Sequence, residues 1–158
     1  MTGTLRVLAI GSKDALNLVR NALRFRRRSH LLVASNYWEL CSLSIGEAVQ
    51  VSVAVIEVSN SDRDLLRTTV HIRRRWPEAQ ILLMGREPED LEDPLYDERI
   101  PPGIEAAELL PAMERLVKRK QRSKRARKHD SDIDDPEWVR IPMNHSVASR
   151  ASRISGWE

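Results

Sequence analysis

Glu57 closes the most strand-like stretch of the chain, Val51-Ser52-Val53-Ala54-Val55-Ile56-Glu57-Val58-Ser59. Four valines and one isoleucine fall within nine residues that hold no glycine and no proline. Such a short aliphatic run suits a strand buried on both faces, as in the middle of a parallel sheet. A carboxylate at the end of that strand is out of place as a packing group. In open α/β sheets ligands bind outside the carboxyl ends of the strands, so Glu57 is the first candidate for a functional side chain.

The other reactive residue types form no constellation. His30, His71, His129 and His145 are scattered without metal-ligand spacing. Cys41 reads as a small packing residue rather than a nucleophile, with no histidine near it in sequence. No glycine-rich phosphate loop, Walker sequence or nucleophile elbow is present. A non-enzymatic protein without a cofactor or metal is the expectation.

Charge is concentrated in one place. Residues 112–129 hold nine basic side chains and one acid, a net +8, whereas residues 1–111 carry a net −2 and residues 130–158 a net −3. The basic residues are Arg115, Lys118, Arg119, Lys120, Arg122, Lys124, Arg125, Arg127 and Lys128. Such a run binds phosphate backbones through counterion release, without sequence readout. Its plainer reading is a solvated helix extension and linker. Arg24, Arg26, Arg27 and Arg28 end a helix and read as partners of its dipole. The single cysteine excludes an internal disulfide and fits a reducing compartment. There is no apolar run of the ~20 residues that a membrane helix needs and no signal-peptide pattern, so a cytoplasmic protein is expected.

Elements of alternating period must position Glu57. Strands are predicted at residues 5–10, 30–34, 51–58, 79–84 and, more weakly, 95–100. Ser12 caps a helix over 13–27 whose apolar positions include Ala15, Leu16, Val19, Ala22 and Leu23. Asn36 and Glu39 resemble a capping box ahead of a helix over 37–47, with Leu40, Leu43 and Trp38 turned inward. Leu65, Thr69, Ile72 and Trp76 mark a third helix, stopped by Pro77. Residues 86–94 predict a loop or at most a short helix. Leu109, Leu110, Met113, Leu116 and Val117 mark the last helix, with Pro111 in its first turn or kinking it. Beyond it the composition cannot bury enough apolar area to offset chain entropy, so residues 119–158 are expected to be a disordered tail, basic and then acidic. Five alternations of strand and helix imply a parallel sheet covered on both faces.

This layout, over about residues 4–118, resembles the receiver domain of two-component response regulators. The matching stretches are Arg6-Val7-Leu8-Ala9-Ile10 for the opening strand, Asp64-Leu65-Leu66-Arg67 through Ile72-Arg73-Arg74-Arg75-Trp76-Pro77-Glu78 for the third helix and its exit, and Leu109-Leu110 with Arg115-Leu116-Val117 for the last helix. The resemblance implies a flavodoxin-like, doubly wound five-stranded α/β fold of strand order 2-1-3-4-5, with the fourth helix short or absent and residues 1–118 as the domain. In that family two acids after the first strand hold Mg²⁺, an aspartate ending the third strand accepts a phosphoryl group, a Ser or Thr ends the fourth, and a Lys precedes a Pro after the fifth. Here those positions fall on Gly11 and Ser12, Glu57, Gly85, and Pro101 followed by Pro102. The resemblance with these departures implies a pseudo-receiver, a signalling or protein-interaction module that is not phosphorylated and acts through an unidentified protein partner. The alternative is a nucleic-acid-associated protein working through residues 115–128.

Overall fold

The alternation of aliphatic and amphipathic stretches becomes a single sheet in the computed structural model, which describes residues 3–43, 49–58, 62–86 and 95–132. The elements are β1 (Leu5–Ile10), α1 (Lys13–Leu23), β2 (Ser29–Ala34), α2 (Tyr37–Ser42), β3 (Val53–Glu57), α3 (Asp62–Arg75), β4 (Gln80–Met84), β5 (Glu98–Ile100) and α4 (Ala106–Asp132). All strand pairs are parallel, and the order is β2-β1-β3-β4-β5, as expected. The chain divides into two compact units, residues 1–122 and 123–158. The described part of the second, residues 123–132, is helical, with 123–128 exposed.

Side chains alternate across the sheet with period two, and each face has its own core. Val7, Ala9, Val53, Val55, Leu82 and Met84 meet α1 and α4 through Val19, Ala22, Leu109, Met113 and Leu116. Leu8, Ile10, Ala54, Ile56, Ile81 and Leu83 meet α2 and α3 through Leu40, Leu65, Ile72 and Trp76. Four of the five β3 residues are buried, which is why that strand carries almost no polar side chain.

Several boundaries differ from those read in the sequence. Helix α1 stops at Leu23 rather than residue 27, because the chain tightens there: Phe25 N–H bonds the Ala22 carbonyl and Arg26 N–H that of Leu23. Trp38 is exposed, not inward, while Leu40 alone of its helix is buried. The capping box is reciprocal: Glu39 N–H donates to Asn36 Oδ1 at 2.9 Å, and Ser35 N–H donates to Glu39 Oε2 at 2.7 Å. The Ser35 bond holds the Glu39 carboxyl below its ordinary pKa. Pro111 sits inside α4, past the first turn, on an exposed position. Helix α4 also continues through the basic run to Asp132, where the composition suggested disordered chain from residue 119. The reason is that Lys, Arg, Gln and Ala are good helix formers, and extending a packed helix avoids the cost of nucleation. The helix expected short or absent within 86–94 lies outside the described residues save for Arg86, and so do residues 133–158 of the expected tail.

Strand β5 has only three residues, and a side chain completes its pairing with β4. Asp97 N–H donates to the Ile81 carbonyl at 2.9 Å, and Asp97 Oδ2 accepts the Ile81 N–H at 2.7 Å. The same oxygen accepts Arg73 Nη2 from α3 at 2.9 Å. Asp97→Ala leaves the buried Ile81 N–H without its acceptor and Arg73 with only the Ala79 carbonyl, and should cost about 2–3 kcal/mol in urea unfolding. Asp97→Asn, which keeps an acceptor, should cost less; equal losses would show that the carboxylate does not bridge strand and helix.

Candidate functional site

Residues that follow neighbouring parallel strands come side by side at the carboxyl edge of the sheet. Ile10 pairs with Ile56, so the next residues, Gly11 and Glu57, are adjacent across β1 and β3. Glu57 is half-buried and bends over Gly11, and its Oε2 accepts the Ser12 N–H at 2.6 Å. Ser12 also caps α1 as expected, its Oγ accepting from Ala15 N–H at 3.4 Å. A Cβ on Gly11 would lie 2.6 Å from the Glu57 Cβ and 2.7 Å from Oε2. The glycine therefore makes the room that the longer acid occupies.

The remaining predicted pocket positions are more loosely placed. Gly85, with φ +125, lies in the backbone region that glycine favours. Its N–H donates to the Ile100 carbonyl at 3.0 Å, and its carbonyl accepts Arg99 Nη1 at 3.2 Å. Pro101 is exposed just after β5. The structure thus joins Gly11, Ser12 and Glu57 by direct contact, places Gly85 beside Val58, and leaves Pro101 at the surface.

The Mg²⁺ that the resemblance implies can be tested against the donors present. A hard divalent cation takes several oxygen ligands, carboxylates foremost. Glu57 is the one carboxylate among these five positions, and one of its oxygens is already bonded to Ser12 N–H. Among the described residues no group of three His, Cys, Asp or Glu could hold a metal ion. The residues here do not fit the ion.

The basic run is partly spent on internal pairs. Arg115 and Arg119 both reach Glu98, and Lys120 pairs with Glu78 at 3.0 Å. Residues 121–128, with Arg122, Lys124, Arg125, Arg127 and Lys128 among them, are all exposed.

Two clusters were not seen in the sequence. Cys41 is exposed rather than packed, and its Sγ lies 3.9 Å from His71 Nδ1. The two are 30 residues apart, and only the packing of α2 on α3 brings them together. Tyr37 meets the His71 ring edge-on at 6.1 Å, and a hydrogen bond with Cys41 holds its phenol above the ordinary pKa. His71 Nε2 is buried without a hydrogen-bond partner. The second cluster is a cleft beside Phe25 at the opposite end of the sheet.

Two tests follow from this geometry. Gly11→Ala should cost about 1–3 kcal/mol, the scale of overpacking, and the cost should shrink when Glu57→Gly removes the obstructing side chain. Equal cost in both backgrounds, read by urea unfolding, would place the constraint in the Gly11 backbone instead. His71 titrates below its ordinary value of 6.5 because burial, and then Arg75, disfavour its cation. The unfolded chain therefore binds the extra proton first. The stability contribution is complete above 6.5 and is lost as pH falls from there through the lower folded value. His71→Gln should flatten the fall in stability over that range; an unchanged slope would assign it to other groups.

Neither the protein-family models nor the curated proteins compared with the sequence match it. Solved structures do match. A signal receiver domain of an HD domain-containing protein from Pseudomonas fluorescens Pf-5 is 13% identical, with 79% of this chain and 95% of that one aligned and a TM-score of 0.63. An adenylate cyclase chain from Rhodopirellula baltica is 12% identical, over 82% of this chain and 99% of that one, at a TM-score of 0.64. The response regulator TrrA from Thermotoga maritima, solved in complex with Mg²⁺ and BeF, is 17% identical over 72% of this chain and 99% of that one, at a TM-score of 0.57. No helix among the described residues is long and apolar enough to cross a membrane. With the observed strand order, these matches establish that the chain has the fold of response-regulator receiver domains.

Proposed function

We propose that the chain is a non-enzymatic signalling module, a pseudo-receiver that works by contact with a protein partner and is not switched by phosphoryl transfer. The observation that carries this reading is the Ser12 N–H bond to the Glu57 carboxylate over Gly11. Phosphoryl transfer is driven by positioning and by cations that neutralise developing charge. A receiver that transfers phosphate needs a free acceptor carboxylate, a metal held by further acids, a hydroxyl and an ammonium. Here the carboxylate is bonded to backbone, the acid positions are Gly11 and Ser12, and Gly85 and Pro101 supply neither hydroxyl nor ammonium. In this reading Glu57 fastens β1 to β3 and keeps the crevice in one state. The partner then recognises a surface that phosphate does not alter.

Incubation of the protein with acetyl phosphate and Mg²⁺, read by intact mass, should leave the mass unchanged. Addition of beryllofluoride and Mg²⁺ should leave the backbone NMR resonances of Gly11, Ser12 and Glu57 in place. A phosphoryl adduct, or shifts at those three residues, would overturn the reading.

A further inference from the structure

The end of the sheet opposite Glu57 holds a cavity of about 680 Å³ between the approach to β1, the segment after α1 and the middle of α4. That volume lies within the ~300–1,000 Å³ of ordinary small-molecule sites. Its walls carry four cations, Arg26, Arg27, Arg28 and Lys118, and one carboxylate, Glu114. The carboxylate is already paired with Arg26. Arg26 is further committed, donating through Nη2 to the Gly3 carbonyl at 2.8 Å and through Nε to the Arg28 carbonyl at 3.3 Å. Arg27, Arg28 and Lys118 have no acidic partner among the described residues. Phe25 borders the same cavity and is 76% exposed, the most exposed of the large apolar side chains among the described residues.

The geometry points to a nucleotide-binding cleft, with the base against Phe25 and the phosphate among Arg27, Arg28 and Lys118. Three unneutralised cations around one cavity call for a multiply charged anion, and guanidinium groups match phosphate oxygens in paired geometry. An exposed phenylalanine is unfavourable in water and offers a flat face on which any base can stack. Arg26 gives the site its frame: by joining Gly3, Arg28 and Glu114 it fixes the wall while leaving its neighbours' charges unanswered. The ligand is a free nucleotide or a nucleotide within a single strand, since both present the same base and phosphate. This assignment goes beyond the signalling role and does not depend on it.

The test is calorimetric titration of the full-length protein with AMP, adenosine, inorganic phosphate and a twelve-nucleotide single-stranded DNA. AMP should bind at least tenfold more tightly than adenosine or phosphate, since each of those retains one half of the recognition. Phe25→Ala should weaken AMP roughly five- to hundredfold, the usual range for a lost base stack. Arg27→Gln with Lys118→Gln should weaken it comparably and make AMP bind no better than adenosine. Phe25 and Arg27 are exposed, so these variants should keep the parent's thermal melt, which is checked alongside. Arg122→Gln with Arg125→Gln, on the basic helix, should leave AMP binding unchanged. A strand that binds more tightly than AMP and is displaced by it identifies the strand as the source; the reverse order identifies the free nucleotide. Absence of AMP binding at millimolar concentration, phosphate binding equal to that of AMP, or indifference to Phe25→Ala would each overturn the proposal. So would strand binding that disappears with Arg122 and Arg125 but survives Phe25→Ala, which would place the affinity on the basic helix.

Discussion

The hydrogen bond from Ser12 N–H to the Glu57 carboxylate, 2.6 Å long, ties the two central strands together where both leave the sheet. Backbone pairing cannot do this, because β1 turns into a helix at Ser12. The N–H groups at a helix start lack intrahelical acceptors and need partners from outside. Ser12 satisfies two such needs at once: its side chain accepts from Ala15, and its own N–H finds Glu57. A charged acceptor makes a stronger bond than a neutral one. The geometry holds only while residue 11 has no side chain, since Glu57 fills the place that a Cβ would take. Glycine at 11 and glutamate at 57 are one arrangement, and neither identity is independent of the other.

That arrangement rests on a sheet whose two faces are dry. Small residues on α1, Ala15 and Ala22, let the helix approach β1 and β3 closely, while Leu109, Met113 and Leu116 of α4 fill the other half of that face. On the opposite face Trp76 anchors α3, its indole N–H donating to the Val49 carbonyl at 2.9 Å. The outer strand, β5, is too short to hold itself by ladder bonds alone, and Asp97 supplies the missing acceptor. Glu57 at the centre of the sheet and Asp97 near its edge thus both sit where backbone pairing runs out.

What the sequence discloses follows from the range of each interaction. Aliphatic runs and helical periods are local, so Val53–Ile56 and the Leu65–Ile72–Trp76 face were legible, as were the Ser12 and Asn36 caps. Strand order is not local; it came from resemblance, and the sheet bears it out. The end of α1 was misplaced because the arginines after it satisfy the helical pattern on paper, while Arg26 is drawn to Glu114, 88 residues away. Cys41 and His71 were unconnected in sequence because nothing about α2 alone reveals that α3 lies beside it. Burial as the criterion suggested disorder from residue 119, while the plainer reading of the basic run was a helix extension; propensity and continuity with a packed helix decide for the helix through Asp132. The bond between Ser12 and Glu57 could be anticipated only in kind, as a carboxylate meeting backbone N–H groups, since its reach over Gly11 depends on the register of β1 against β3.

The two ends of the sheet solve opposite electrostatic problems. At the carboxyl end one negative group is met by a backbone N–H at the start of α1, whose helix dipole also favours an anion. At the amino end the chain after α1 brings Arg26, Arg27 and Arg28 to one cavity, and α4 adds Lys118 and the single carboxylate, Glu114. Arg26 takes that carboxylate and two backbone carbonyls, using its fixed fork of donors to bind three segments of chain together. Like charges placed close together repel, and the cost falls on the fold unless water, salt or a ligand offsets it. Arg27, Arg28 and Lys118 occupy exposed helix and loop positions, so water and salt screen their repulsion, and they gather beside an exposed phenylalanine. The Glu57 carboxylate is thus answered within the fold, whereas Arg27, Arg28 and Lys118 have no acidic partner among the described residues.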